Sequence, residues 1–175
     1  MPDYTIKPEA MRVPVQSGAT LLQDIANTTL QPGQIALWWL GQSGYAVKSA
    51  SMLFYVDLYL SEHLTHKYAD TAKPHVRMTH APLRGADLRD VRWMFSSHKH
   101  SDHLDPGTMP DVFANNPDAK LVLPQAIADH TASLGLDRER LLTTNGDETL
   151  QIDNMTVHVL PSAHEALDYD PQTGY

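Results

Sequence analysis

Cysteine is absent from these 175 residues. Disulfides and thiolate metal sites are therefore excluded, and any bound metal must be held by His, Asp or Glu. Also missing is any apolar run near the roughly 18 residues that would span a membrane, so no membrane partner is expected. Positive charge is scarce: 13 Lys and Arg against 21 Asp and Glu leave a net charge of −8. A nucleic-acid backbone is gripped by clustered Lys and Arg, and no such block occurs, so no nucleic-acid partner is expected. Repeats and low-complexity segments are lacking too. The opening MPDYTIKPEAMRV has no basic start followed by an apolar run, and a cytoplasmic location is the expectation.

What remains is an ordinary globular composition, 42% hydrophobic and 19% charged, in a length that suits about one domain. Residues 1–33 are expected to form a lead-in with a short helix, and 34–175 the main domain. TLLQDIANTTL (20–30) places Leu21, Leu22 and Ile25 on one helical face before the Pro32-Gly33 break. IALWWL (35–40), YAVKSA (45–50) and MLFYVDL (52–58) are three β-like runs with tight connections, which predicts an antiparallel meander. Trp38 and Trp39 are expected to be buried there. Residues 61–90 are polar and irregular and predict a long loop. VRWMFS (91–96) predicts a strand, and Asp105-Pro106 a helix start, with Asp105 as N-cap and Pro106 at the first helical position. KLVLP (120–124) and RLLTT (140–144) predict strands flanking a helix over 125–136, and ETLQI with MTVHVL predicts a hairpin. Strands first, then alternating strands and helices, point to an α/β fold.

The strand 91–96 runs straight into SSHKHSDHLD, which holds His98, His100, Asp102 and His103. On a helix His98 and His100 would lie about 200° apart. In a strand-to-helix loop an i, i+2 pair can converge on one ion, with Asp102 and His103 carried toward a second position beside it. Imidazole and carboxylate donors suit Zn²⁺, Mn²⁺ or Fe. A lone His-x-His pair would be ambiguous. Three histidines and an aspartate between a buried strand and a helix start read as a metal site rather than a solvated polar loop.

His98-Lys99-His100-Ser101-Asp102-His103 resembles the His-x-His-x-Asp-His signature of the metallo-β-lactamase superfamily. The resemblance implies an αββα sandwich, of which this chain would be the N-terminal portion only, because the family's later Asp and final His have no counterpart before Tyr175. It also implies one or two divalent ions, Zn or Mn. His98, His100 and His164 would hold the first ion, and Asp102 and His103 would contribute to the second. Asp57, at the end of MLFYVD, matches the acidic residue that buttresses the metal loop in such proteins. IALWWLGQSGYAVKS, followed by YVDLYLS, is similar to the L-ascorbate-6-phosphate lactonase branch.

The activity so implied is hydrolysis of a small lactone by a metal-activated water; in a one-metal version Asp102 would instead orient that water and shuttle its proton. Arg77 and Arg84 are candidates for contacting a substrate phosphate, weighed against being ordinary surface arginines. Lys99 sits between two implied ligands and is expected to turn away from the metal. His63, His66, His75, His80 and His130 are expected at the surface, and His158 packed or hydrogen-bonded. A small-molecule substrate is the expected partner, and self-association into a homo-oligomer is compatible with the sequence. Two other readings stand beside the lactonase: a metal-dependent phosphodiesterase on a small substrate, and an inactive truncated metal-binding remnant.

Overall fold

A computed structural model of the chain describes residues 11–161. Helix α1 (Gly18–Asn27) precedes three strands, β1 (Ile35–Trp39), β2 (Tyr45–Ser49) and β3 (Leu53–Val56). After a long crossover come β4 (Trp93–Phe95), helix α3 (Met109–Asn115) and β5 (Lys120–Pro124). Helix α4 (Ala128–Ser133), β6 (Leu141–Thr144) and a hairpin of β7 (Thr149–Ile152) and β8 (Met155–His158) follow. The crossover, expected as loop, contains a one-turn helix α2 (His63–Lys67). So short a segment has no room for the periodicity that would reveal it.

Strands β1 to β6 form one sheet in sequence order. β1, β2 and β3 pair antiparallel as expected from their short connections, while β3–β4, β4–β5 and β5–β6 pair parallel. Parallel neighbours require crossovers, and the four parallel strands therefore release their following segments at one end of the sheet. The chain is thus α/β, with a central, mostly parallel sheet and a separate two-stranded sheet, β7–β8.

One face of the large sheet is covered by helices. Leu21 and Ile25 of α1, Met109, Val112 and Phe113 of α3, and Tyr55, Met94, Leu121 and Leu123 from the strands make one buried cluster. Burying a side chain of this kind contributes roughly 1.5–3 kcal/mol. Polar bonds fix the angle of α1: Trp38 Nε1 donates to Asp24 Oδ2 at 2.8 Å, and Lys48 Nζ donates to the carbonyls of Ile25 (2.6 Å) and Ala26 (2.9 Å) near the helix C-terminus. Those carbonyls have no partner within the helix, and a cation there also suits the helix dipole.

The β7–β8 hairpin packs against the opposite face, where Trp93 and Val122 meet Ile152, with Phe54, Phe95 and Leu142 around them. Asp153, in the hairpin turn at φ +50°, accepts from Trp93 Nε1 (2.7 Å) and from Arg92 Nη2 (2.9 Å). The cover is partial. By register, Ile35, Leu37 and Trp39 of β1 and Tyr45 of β2 lie on this same face, and all four are exposed, Trp39 at 55%. Trp39 thus departs from its expected burial. Alternation sends Trp38 inward and Trp39 outward, and the hairpin does not reach β1.

Two boundary expectations also shift. Helix α3 begins at Met109 with Thr108 at its N-cap and Pro110 in its first turn, not at Pro106. The expected helix over 125–136 is a 3-10 turn (Gln125–Ile127) running into α4, which ends before Gly135 at φ +83°. Among the described residues, no helix is long and apolar enough to cross a membrane.

Candidate metal centre

The histidine loop is held at both ends. At its start, Ser96 N donates to Val122 O (3.0 Å), and the buried Ser96 hydroxyl reaches back to the carbonyls of His98 (3.3 Å) and His103 (3.0 Å). At its end, Leu104 is fully buried, and His103 N and Leu104 N both donate to His100 O at 2.8 Å, closing a tight turn. Asp105 is fully buried as well. It does not cap α3; its carboxylate accepts from Ser61 N (3.1 Å), Ser61 Oγ (2.8 Å) and Gly107 N (2.9 Å), and from the Thr108 hydroxyl. Asp105 therefore ties the loop's end to the segment that follows β3.

Beneath the loop lies Asp57, one residue past β3 and in the left-handed region at φ +47°. Asp tolerates that conformation better than most side chains. Its Oδ1 accepts from Ser97 N (2.7 Å), and its Oδ2 accepts from Ser97 Oγ (2.8 Å) and contacts His103 Nδ1 (2.9 Å). This arrangement places the Nδ1 hydrogen of His103 on a carboxylate and leaves Nε2 free as a donor atom for a metal, as carboxylate-supported ligands require. Ser43, in the β1–β2 turn, bonds the Asp102 carbonyl and fixes the far side of the turn.

The rings converge. His98 and His100 are 4.7 Å apart between centroids, and His98 and His103 are 4.1 Å apart. The Asp102 carboxylate, 40% exposed, lies 3.7 Å from His103 Nε2. Burial pushes the His98 pKa down, and the neighbouring His103 and His100 push the same way. That favours the neutral imidazole, which is the ligating form. At His103 burial alone would act downward too, but the hydrogen bond and charge of Asp57, with Asp102, outweigh it and the net shift is upward.

Three imidazoles and one carboxylate around one turn are chemically suited to a divalent ion. Among the described residues, however, no group of three or more such side chains is already arranged as a metal cage. His164 lies outside the described residues.

The two arginines singled out as phosphate contacts sit elsewhere. Arg77 is 1% exposed. Its guanidinium donates to the carbonyls of Thr79 (3.1 Å), Tyr59 (2.7 Å) and Ser61 (3.2 Å) and lies over the Tyr59 ring. It stitches the crossover together and offers no open face to a substrate. Its remaining nitrogen, Nη2, is buried against Gly41, where a Cβ would stand 3.0 Å away. Arg84 is 78% exposed and forked onto Asp87 at 2.6 Å, which raises its own pKa and lowers that of Asp87.

A hollow of about 500 Å³ opens beside the loop, against His100 and Asp102, and neither arginine lines it. A larger hollow of about 840 Å³ lies at the opposite ends of β4 and β5, remote from the histidines. Its arginines are already engaged: Arg140 on the carbonyls of Ala119, Phe113 and Asn116, Arg92 on Asp153, and Arg89 on those of Ala86 and Leu88. The histidine loop borders the smaller hollow. In α/β sheets, ligands bind beyond the carboxyl ends of the strands.

No family model matches the chain. Among curated proteins it is similar to probable L-ascorbate-6-phosphate lactonases UlaG, including those of Salmonella paratyphi B and Salmonella newport. Each is 24% identical over 160 residues, covering 82% of this chain and 45% of the relative. The chain therefore spans less than half the length of the curated relatives it matches. Among solved structures it superposes on CmlA, a diiron beta-hydroxylase from Streptomyces venezuelae, with a TM-score of 0.51 and 20% identity, covering 75% of this chain and 24% of that one. A mutant of the CmlA beta-hydroxylase gives 0.51 and 18%, covering 83% and 28%. These likenesses establish the α/β architecture, and the proteins compared are enzymes.

Proposed function

We propose that this chain carries the metal loop of a metal-dependent hydrolase of metallo-β-lactamase type, acting on a small lactone such as a sugar-acid lactone phosphate. The observation that carries the reading is the convergence of the His98, His100 and His103 rings, with Asp57 gripping His103 from behind. The sequence likeness to probable L-ascorbate-6-phosphate lactonases supports the substrate class.

His98, His100 and His103, with Asp102 and His164, would hold one or two divalent ions. When bound, such an ion supplies Lewis acidity, polarising the lactone carbonyl and acidifying a water. The chain's own groups do the rest. Asp57 keeps the Nδ1 hydrogen of His103 occupied and its Nε2 available. Where the histidines alone hold a single ion, Asp102, 40% exposed, would instead accept a proton from the attacking water on its carboxylate and return it to the leaving ring oxygen. Water and lactone then give an open-chain hydroxy acid. Zn, Mn and Fe all suit these donors, so the metal is to be identified and not assumed.

The test is elemental analysis of the purified chain alongside a His98→Ala, His100→Ala variant, followed by a lactone-opening assay with each metal restored. About one ion per chain, absent from the variant, and metal-dependent lactone opening are expected. A folded chain that binds none of the three metals would leave only the remnant reading. Hydrolysis of cyclic or small phosphodiesters but not lactones would favour the phosphodiesterase.

A further inference from the structure

We propose that the hollow beside the histidine loop is an anion subsite that grips the phosphate monoester of the substrate through Lys67 and Lys99, with His75 and His130 as supporting donors. The inference deepens the functional reading above and rests on it only for the reaction.

The hollow is assembled from segments far apart in the chain. Lys67 and Tyr68 come from the end of α2, His75 from the stretch after it, Lys99 and His100 from the loop, and His130 from α4. Each segment contributes a nitrogen-bearing side chain to the lining. In a chain of net charge −8 this is an unusual local balance, since Asp102 is the one acidic residue in the lining. Among the described residues, neither Lys67 nor Lys99 is in an ion pair. Both are exposed. Two unneutralised ammonium groups facing one hollow make it attractive to a dianion, which can accept a charge-assisted bond from each.

The wall is already ordered. Lys67 Nζ lies 5.3 Å over the Tyr68 ring, Tyr68 meets His75 edge-on at 4.4 Å, and Thr65 Oγ1 holds the His75 carbonyl at 3.1 Å. Two of these three contacts fix the α2 wall to the stretch carrying His75. A phosphate in the hollow would be next to His100 and Asp102. Arg77 and Arg84, which lie outside the hollow, could not serve there.

The experiment is calorimetric titration of the full chain with glucose 6-phosphate, glucose and inorganic phosphate at matched ionic strength, with and without a chelator. Glucose 6-phosphate is expected to bind with the chelator present, to bind tighter than inorganic phosphate, and to lose affinity as salt rises. Glucose is expected not to bind. Lys67→Gln and Lys99→Gln should each weaken the phosphate ester by roughly 10-fold or more. Lys67 lies outside the loop, so its variant separates lost charge from a disturbed loop, and unchanged melting temperatures confirm that both variants fold. The proposal is overturned by unchanged affinity in the Lys67→Gln chain, by binding that vanishes with the chelator, by no binding, or by inorganic phosphate binding as tightly as the ester. These readouts need no turnover. A chain that binds the ester as described but opens no lactone sinks the lactonase reading alone; one that opens lactones but ignores the ester sinks the subsite alone.

Discussion

Replacing Asp57 with Asn removes one charge and one acceptor from beneath the histidine loop while keeping the side chain's size. The backbone at φ +47° accepts Asn as readily as Asp, so no strain is added. Asn Oδ1 can still accept from Ser97 N, at 2.7 Å in the native chain. The amide nitrogen, standing where Oδ2 was, now faces Ser97 Oγ and His103 Nδ1 with hydrogens of its own. The serine hydroxyl can rotate to accept one. His103 must shift its proton to Nε2 so that Nδ1 can accept the other, and Nε2 is then no longer a ligand atom. A charge-assisted hydrogen bond is worth about 1.5–3 kcal/mol, and the Asp57 side chain is only 12% exposed, so solvent replaces little of it. The metal-free Asp57→Asn chain should therefore be about 2 kcal/mol less stable in urea unfolding with a chelator present. Metal affinity, measured by competition with a chromophoric chelator, should fall 10- to 100-fold or so, as is usual when a carboxylate behind a ligating His is lost. An unaltered affinity alongside the expected loss of stability would refute the coupling argued here, because Asp57 would then hold the loop without setting the state of His103.

Other perturbations give separable outcomes. Arg77→Leu should cost about 3 kcal/mol or more in urea unfolding, because the carbonyls of Tyr59, Ser61 and Thr79 lose their donor in a dry setting, whereas Arg84→Ala should leave the urea midpoint unchanged. Burial raises the Tyr55 hydroxyl from 10.0 to about 12, so the neutral phenol favours the fold. The stabilisation is complete below pH 10 and is lost as pH rises through 12; about 3 kcal/mol should disappear across that window in wild type but not in Tyr55→Phe. Gly85→Ala would place a methyl 2.5 Å from the Thr108 carbonyl oxygen, and a melting temperature unchanged by it would contradict the packing of the crossover on α3, since overpacking of this kind costs about 1–3 kcal/mol.

The strands were legible because alternation and β-branched or aromatic content are local signals. KLVLP matches β5 to the residue, and the three early runs match β1 to β3 within a residue or two. Polar residues were harder wherever their partners are remote. Asp105 has the neighbours of an N-cap, yet its carboxylate is taken by Ser61, 44 residues away. Arg77 lies in a polar stretch and looks exposed, but beside the nearby Thr79 carbonyl its head group meets those of Tyr59 and Ser61, 18 and 16 residues back, which no short-range pattern relates to it. Trp39 carries the strongest strand signature and is exposed all the same, because cover on that face depends on how far a distant hairpin extends. The histidine loop was visible as a dense motif. The hollow beside it was not, since Lys67, Lys99 and His130 come together only through the parallel order of the sheet.

That parallel order has a consequence for how such a protein can change. Asp57 follows β3, the histidine loop follows β4 and the segment bearing His130 follows β5, each fastened to its own strand by pairings that do not involve its tip. The wall of the hollow beside the histidines is therefore assembled from separate pieces of chain that meet only in space. A lineage can lengthen, shorten or recharge the piece after β5 and leave the histidine loop as it was.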